Sequence, residues 1–145
     1  MERRRNDADV DGNSPRMLEV TSTIQKKPRI NTKAFLSIKD SILGKKNNVS
    51  LTFIGSRRAQ TLNMEHRQKD YVPNILTFTL DDQYTEIFIC PDVAKKQCKD
   101  FELSLPDYFA FLFIHGCLHA KGLPHGDEMD RQEETHLRKY QKMTA

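Results

Sequence analysis

The stretch "YFAFLFIHGCLHAKGLPHG" (108–126) joins the longest apolar run of the chain to three of its five histidines. His115 and His119 are four residues apart, so on a helix they lie on one face, one turn apart. A glycine and a proline then end such a helix, and His125 follows the break. The stretch therefore predicts a long apolar helix, from about residue 107 to residue 121, with a histidine cluster on the helix and its following turn.

Strand and helix patterns flank this helix on both sides. Two β-rich segments joined by the polar turn "DDQY" predict a hairpin. The predicted strands are 17–24, 49–55, 74–80 and 85–91, and the other predicted helices are 30–44, 56–67 with Ser56 as its N-cap, 92–98 and 127–143. This order predicts an α+β fold, a single small domain in which helices pack on a mixed β-sheet of about four strands.

The N-terminal residues differ from the rest of the chain. At 145 residues, the protein is long enough for one domain with a real hydrophobic core. Residues 1–16 carry four basic and four acidic side chains and no apolar stretch, which fits neither a secretory signal nor a mitochondrial address. We expect a disordered tail at 1–16 and a folded domain at 17–145.

Composition narrows the cellular setting. No apolar run approaches the roughly 18 to 20 residues that a membrane span needs, so no membrane partner is expected. Three cysteines are too few, and odd in number, for a disulfide framework, which predicts a reducing compartment and a cytoplasmic location. A net charge of +3 permits an anionic partner without requiring one.

The three clustered histidines predict a metal site. Two imidazoles one helical turn apart can share a metal, and His125, after the break, can supply a third nitrogen. Three protein ligands leave a fourth position open, which is typical of a catalytic zinc site. The alternative is that His115 and His119 are ordinary helix residues and His125 a surface histidine, but three at this spacing favour the metal site.

Other candidate ligands have simpler interpretations. Cys117 lies about 200° around the helix from His115, so it is expected to point away from the metal and to pack in the core. His66 and His136 are expected to be solvated side chains.

The spacing H-x3-H-x2-G-x2-H is also that of metzincin-type zinc proteases. Those enzymes place a glutamate directly after the first histidine as the general base. Here that position is Gly116, which cannot accept a proton. The sequence therefore disfavours peptide hydrolysis by that mechanism.

Three segments together resemble a known family. "HGCLHAKGLPH" (115–125) resembles the H-G-x-L-H-x-x-G-x-[DT]-H signature of the bacterial rRNA-maturation endoribonucleases, the YbeY family. "LNMEHRQKDYVPNILTF" (62–78) and "TEIFICPDVAKKQC" (85–98) resemble two further segments of that family, in the same order. The resemblance covers about residues 49 to 140.

The resemblance implies a metal-dependent, single-strand-preferring endoribonuclease that acts in rRNA processing, at the 16S rRNA 3′ end, and in ribosome quality control. It implies one Zn²⁺ per chain, with His115, His119 and His125 as ligands. Arg67, His115 and His119 would be the catalytic residues, and the arginine would meet the RNA phosphate through its guanidinium fork. The implied partners are single-stranded rRNA, the small ribosomal subunit and its assembly factors, and no DNA is expected.

The chain also departs from the family pattern. Asn74 and Pro124 stand where the family usually carries aspartate, and Thr85-Glu86 replaces Gly-Asp. Pro73, Val72 and Thr77 replace threonine, proline and serine. The change at Asn74 is expected to loosen a contact that orients a metal ligand.

Several points stay open at this level. No general base is identifiable, so the nucleophile is either a metal-activated hydroxide or an RNA 2′-hydroxyl. Two other functions compete with the nuclease: another zinc hydrolase, such as a peptidase whose base comes from elsewhere, and a catalytically weak ribosome-associated metal-binding protein. A phosphate-tracking groove is expected if the fold gathers the basic pairs, which are Lys26-Lys27, Lys45-Lys46, Arg57-Arg58 and Lys95-Lys96.

Overall fold

The computed structural model describes residues 17–145, so the predicted tail at 1–16 lies outside the described residues. Within that range the chain has the predicted α+β fold, with a four-stranded mixed sheet and five α-helices. The strands are β1 (Leu18–Ser22), β2 (Asn48–Phe53), β3 (Ile75–Asp81) and β4 (Tyr84–Ile89), and the helices are α1 (Thr32–Leu43), α2 (Ser56–Arg67), α3 (Pro91–Gln97), α4 (Leu105–Lys121) and α5 (Asp127–Met143), with a 3₁₀ turn at Cys98–Phe101.

The sheet has the strand order β1-β2-β4-β3. β1, β2 and β4 are parallel, and β3 pairs antiparallel with β4 as the predicted hairpin. Leu51 in the middle of β2 pairs with Val20 on one side and with Ile87 on the other. Because side chains alternate along a strand, the buried positions of β2 all point to one face of the sheet.

The main hydrophobic core lies on that face, under α1, α4 and α5. α4 is apolar on most of its sides because it lies between the sheet and the two other helices. Phe113 of α4 packs on Phe35 of α1 with ring centroids 4.8 Å apart, and Phe109 packs on Phe53 of β2 at 5.3 Å. Each fully buried ring of this kind stabilises the fold by about 1.5–3 kcal/mol.

A smaller cluster fills the opposite face beneath α2 and α3. Leu62 of α2 packs there with Leu76 of β3 and with Ile54, which follows β2. All three cysteines of the chain are buried free thiols. None of the helices described for residues 17–145 combines the length and the apolar character of a membrane span.

Gly116 marks the point where α4 approaches the sheet most tightly. A Cβ atom at this position would lie 2.9 Å from the Thr77 Oγ1 and 3.1 Å from the Cδ1 atoms of both Ile75 and Ile87. The contact with Thr77 is shorter than Cβ atoms normally make and the two isoleucine contacts are tight, so an added side chain would force these neighbours to move. The glycine after His115 is therefore a packing requirement of this fold, and a glutamate has no room there.

The ends of α4 are defined by separate signals. Ser104 caps its start, and the Ser104 Oγ accepts a hydrogen bond from the Asp107 backbone N–H at 3.2 Å. Gly122 ends the helix in the left-handed region, with φ of +107°. The predicted Ser56 cap of α2 is wrong: Gly55 is the N-cap residue, and the Ser56 hydroxyl donates to Asp92 Oδ2 at 3.0 Å.

Candidate metal centre

The three histidines of the opening stretch lie together at the C-terminal end of α4. His115 and His119 project from one face of the helix, and the turn that begins at Gly122 brings His125 back towards them. One ring nitrogen from each lies within 4.8 Å of the others, and the Nε2 atoms of His119 and His125 are 3.1 Å apart. Two nitrogens bound to one tetrahedral Zn²⁺ are separated by about 3.3 Å, which the pair His119 and His125 nearly matches, and His115 is near enough to serve as a third ligand.

The cluster lies at the surface end of a buried helix. His115 and His119 are half-buried and His125 is exposed, so solvent and a substrate can reach it. Burial lowers the pKa of His119, and the neighbouring His115 and His125 lower it further. This imidazole is therefore neutral near pH 7, the protonation state that metal binding requires.

Glu133 of α5 contacts the histidine cluster, and the sequence interpretation missed it. This carboxylate is buried, and its Oε2 contacts the Nδ1 of His115. A carboxylate on Nδ1 fixes the orientation of the ring and leaves Nε2 as the free ligand atom. One signal was available: Met129, Glu133 and Tyr140 are the buried positions of α5, so a carboxylate stands on the apolar stripe of an amphipathic helix.

Arg67 is the last residue of α2, and its exposed side chain is held by two neighbours. Its Nη1 donates to Asn63 Oδ1 at 3.2 Å and to the Tyr71 hydroxyl at 3.4 Å. Asn63 is fully buried, so the anchor is part of the folded core. The charge of Arg67 is also one of the causes that lower the pKa of His119, which places the guanidinium within electrostatic reach of the histidines.

The side chain of Asn74 bonds to Gln97 rather than to a histidine. Its Nδ2 donates to Gln97 Oε1 at 3.0 Å, and the Tyr108 hydroxyl donates to the same oxygen at 2.9 Å. The carboxylate on an imidazole comes from Glu133 instead. The departure at Glu86 lies on the sheet face opposite α4, because its neighbour Ile87 points into the α4 core.

The remaining candidate residues fall outside the cluster. Cys117 is fully buried in the main core, as predicted, and burial raises the pKa of its thiol well above the usual range. His66 is exposed, and its ring packs on Phe78 at 4.8 Å. His136 is half-buried rather than solvated, and burial lowers its pKa.

The basic pairs are all exposed, but they belong to separate parts of the fold. They lie on the connection from β1 to α1, on the turn after α1, on α2 and on α3. A groove that joins them to the histidines stays a prediction.

Comparison with known proteins identifies a family that this chain matches. The family described as "Endoribonuclease YbeY" matches residues 17–144. The YbeY endoribonuclease of Delftia acidovorans is 33% identical over 89 residues, which cover 59% of this chain and 59% of that protein. The one from Mesoplasma florum is 32% identical over 111 residues, covering 69% of this chain and 63% of the relative. The matched part thus spans about three fifths of the length of these relatives.

A solved structure supports the fold. The solution structure of TM1509 from Thermotoga maritima matches with a TM-score of 0.61 at 21% sequence identity, over 88% of this chain and 91% of that one. This match shows a shared fold. The family match, in contrast, takes in every described element and the three histidines. The chain therefore belongs to the YbeY endoribonuclease family.

Proposed function

We propose that this protein is a zinc-dependent endoribonuclease that cleaves single-stranded RNA. The observation that carries the proposal is the cluster of three imidazole nitrogens within 4.8 Å of one another. Membership of the YbeY endoribonuclease family supports RNA as the substrate. We assign His115, His119 and His125 as the ligands of one Zn²⁺ per chain, and Arg67, His115 and His119 as the catalytic residues.

The donor set suits zinc. Three imidazoles without a thiolate or an added carboxylate ligand form a common catalytic zinc set, and they leave a position open for the substrate. A zinc ion bound there supplies Lewis-acid stabilisation of the negative charge on a phosphoryl oxygen. The contribution of Glu133 is orientation: its bond to Nδ1 of His115 holds that ring with Nε2 towards the other two histidines.

Arg67 supplies the second positive charge. Its guanidinium can donate two parallel hydrogen bonds to a phosphate, a geometry that lysine does not reproduce. Asn63 and Tyr71 hold the side chain at a fixed place before RNA arrives, which lowers the entropic cost of binding. The arginine is thus positioned to stabilise the extra negative charge as the phosphodiester reacts.

The biological setting follows the family. We propose a role in rRNA processing, at the 16S rRNA 3′ end, and in ribosome quality control. The partners are then single-stranded rRNA, the small ribosomal subunit and its assembly factors, in the cytoplasm. The exposed basic pairs on four parts of the fold support contact with an anionic partner.

Glu133 favours one alternative, a zinc peptidase. A carboxylate beside the cluster is the feature that such an enzyme would need as its general base. Here that carboxylate is buried and is already bound to a ring nitrogen of His115, which suits orientation better than proton transfer to a substrate. A catalytically weak, ribosome-associated metal-binding protein is the second alternative.

One experiment separates the three functions. Bound metal is measured by mass spectrometry for wild type and His119→Ala. For both proteins, cleavage is followed on a single-stranded rRNA fragment and on casein, which is the test substrate for a peptidase. The nuclease predicts one zinc per chain and RNA cleavage in wild type, both lost in the variant. Metal without cleavage of either substrate supports the binding protein, casein cleavage supports the peptidase, and absence of metal contradicts the site itself.

A further inference from the structure

The cleft beside the histidines has a wall that the proposed chemistry does not use. Its volume is about 260 Å³, and His115 and His125 line one part of it. Phe101, Phe111 and Leu112 line another part, so a group bound in the cleft touches the aromatic wall and the metal cluster together. The volume is smaller than the roughly 300–1,000 Å³ of pockets for drug-sized ligands, which suits one ring system.

Phe101 is the distinctive residue of this wall. It stands at the end of the 3₁₀ turn and is 50% exposed, although its ring lies 5.1 Å from that of Tyr108 and 5.5 Å from that of Phe111. The two neighbours hold the ring in place while one side of it stays open to water. An aromatic surface of this kind is suited to stacking against a planar group, with little ordering cost on binding.

The polar side chains that line the cleft determine which planar groups can bind there. Besides the histidines, the polar residues that border the cleft are Asn74, Tyr108, Asp130 and Glu133, and the first two are already hydrogen-bonded to Gln97. Glu133 is engaged with His115, whereas Asp130 is exposed and forms no ion pair within the part of the chain that the structure describes. The unpaired carboxylate of Asp130 favours an uncharged group that carries N–H donors.

We propose that this cleft is a nucleobase pocket, which holds one unpaired base next to the phosphate at the histidines and prefers guanine. The proposal rests on the proposed function, because it names the RNA contact of the same site. Guanine presents two adjacent donors, N1–H and the N2 amino group, which match the two oxygens of the Asp130 carboxylate. Uracil places carbonyl oxygens on both sides of its one N–H, so a carboxylate repels it.

Binding is tested without catalysis. The full chain, treated with EDTA and labelled with ¹³C on phenylalanine rings, is titrated by NMR with guanosine 5′-monophosphate, uridine 5′-monophosphate and N-acetyl-arginine amide. We expect guanosine monophosphate to bind at least about tenfold more tightly than uridine monophosphate and to shift the Phe101 ring signals. Equal binding of the two nucleotides overturns the pocket, and tighter binding of the arginine amide than of guanosine monophosphate assigns it to a peptide side chain instead.

Matched variants locate the selectivity. Asp130→Asn is expected to remove most of the guanine preference, whereas Asp127→Asn, an exposed aspartate in the same first turn of α5 outside the cleft, is expected to keep it. Phe101→Ala is expected to weaken both nucleotides by about tenfold. Two controls accompany this variant: Phe101→Leu keeps an apolar side chain without an aromatic face, and Leu80→Ala removes an exposed apolar side chain outside the cleft. Thermal unfolding of each variant checks that it is folded. A preference unchanged in folded Asp130→Asn overturns the assignment.

A cleavage assay keeps this proposal separate from the function on which it rests. The zinc-loaded protein is given a pool of single-stranded RNA of random sequence, and the product ends are sequenced. Guanine enrichment at one position beside the cut, lost in Asp130→Asn, supports the pocket. Cleavage without any base enrichment overturns the pocket and leaves the nuclease intact, while guanine-selective binding without cleavage overturns the nuclease and leaves the pocket.

Discussion

Helix α4 has two faces of opposite character, although they are formed by adjacent residues. On one face Gly116 meets Thr77, Ile75 and Ile87 so closely that an added methyl group would force these neighbours to shift. On the other face His115 and His119 are only half-buried, and His115 lines an open cleft. The first face contributes to folding stability, and the second contributes to the proposed metal site. Substitutions at Gly116 should therefore destabilise the fold, whereas substitutions at the adjacent His115 should impair metal binding.

The largest expected effect is that of Gly116→Glu on folding. A glutamate side chain would have to enter the contact between α4 and the sheet, so we expect the variant not to fold. Gly116→Ala adds only the Cβ and should destabilise the protein by about 1–3 kcal/mol, because overpacking outweighs the better helix propensity of alanine. Urea unfolding followed by circular dichroism measures both changes.

A double variant sharpens this prediction. Thr77→Ala removes the Oγ1 atom that lies 2.9 Å from the added Cβ, so it should recover part of the stability of Gly116→Ala. Gly122→Ala is the control, because a Cβ there meets nothing within 4 Å and the cost comes only from its φ of +107°. A stable, folded Gly116→Glu protein would show that the two faces do not differ as described.

Arg67→Ala, at the end of α2, should reduce RNA cleavage and also cost about 1–3 kcal/mol of stability, because the buried Asn63 Oδ1 loses its donor. Removing one preorganised donor to a reacting group typically lowers kcat by about 100-fold to 1,000-fold. Arg67→Lys should recover a minor part, since it keeps the charge and loses the fork. The control is Arg58→Ala, an exposed arginine on the same helix, and the measurement is single-turnover cleavage of a single-stranded RNA.

Glu133→Ala should weaken zinc binding by about 10-fold to 100-fold, because the His115 ring loses the group that orients it. Glu133→Gln should restore much of the affinity, since the amide oxygen can accept the same hydrogen bond from Nδ1. Competition with a chromogenic zinc chelator gives the affinities. Glu134→Ala, the exposed neighbour paired with Arg138, is the control, and an equal loss in that variant would remove the specific role of Glu133.

The smallest effect concerns pH. Burial lowers the pKa of His136, helped by Lys139 and Lys121, so the folded state favours the neutral ring. The unfolded chain takes up a proton as the pH falls through about 6.5, and the folded protein resists it, so stability is present above that pH and is lost below it. His136→Gln should lose less stability than wild type between pH 7.5 and pH 5.5, by about a few tenths of a kcal/mol, because solvent screens a half-buried group. Urea midpoints at both pH values test the difference.

The elements of the fold were largely predictable, because their signals are local. Alternation in β2, the "DDQY" turn and the apolar run of α4 each lie within a short window, and the predicted bounds differ from the observed ones by no more than two residues. The histidine cluster was predictable for the same reason, since one helical turn and one glycine break bring the three rings together. The Ser56 cap was wrong because a serine can begin a helix while its hydroxyl bonds elsewhere.

The supports of the site were not predictable from local patterns. Glu133 reaches His115 only because α5 packs against α4, and Phe101 borders the cleft only because the 3₁₀ turn lies beside Tyr108 and Phe111. The motif marks Gly116 only as a position without a general base, whereas the packing of α4 on β3 and β4 explains why a glycine stands there. These three features depend on contacts between segments that are distant in the sequence. A motif that records only the spacing of residues carries no information about such contacts.

The central claim is that three histidines at the end of α4 hold one zinc ion. X-ray absorption at the zinc edge, on protein loaded with one equivalent of Zn²⁺, measures the ligands directly. We predict three imidazole nitrogens at about 2.0–2.1 Å with no sulfur neighbour, and loss of this signal in His119→Ala. A spectrum with sulfur ligands, or one that is the same in wild type and His119→Ala, would contradict the account.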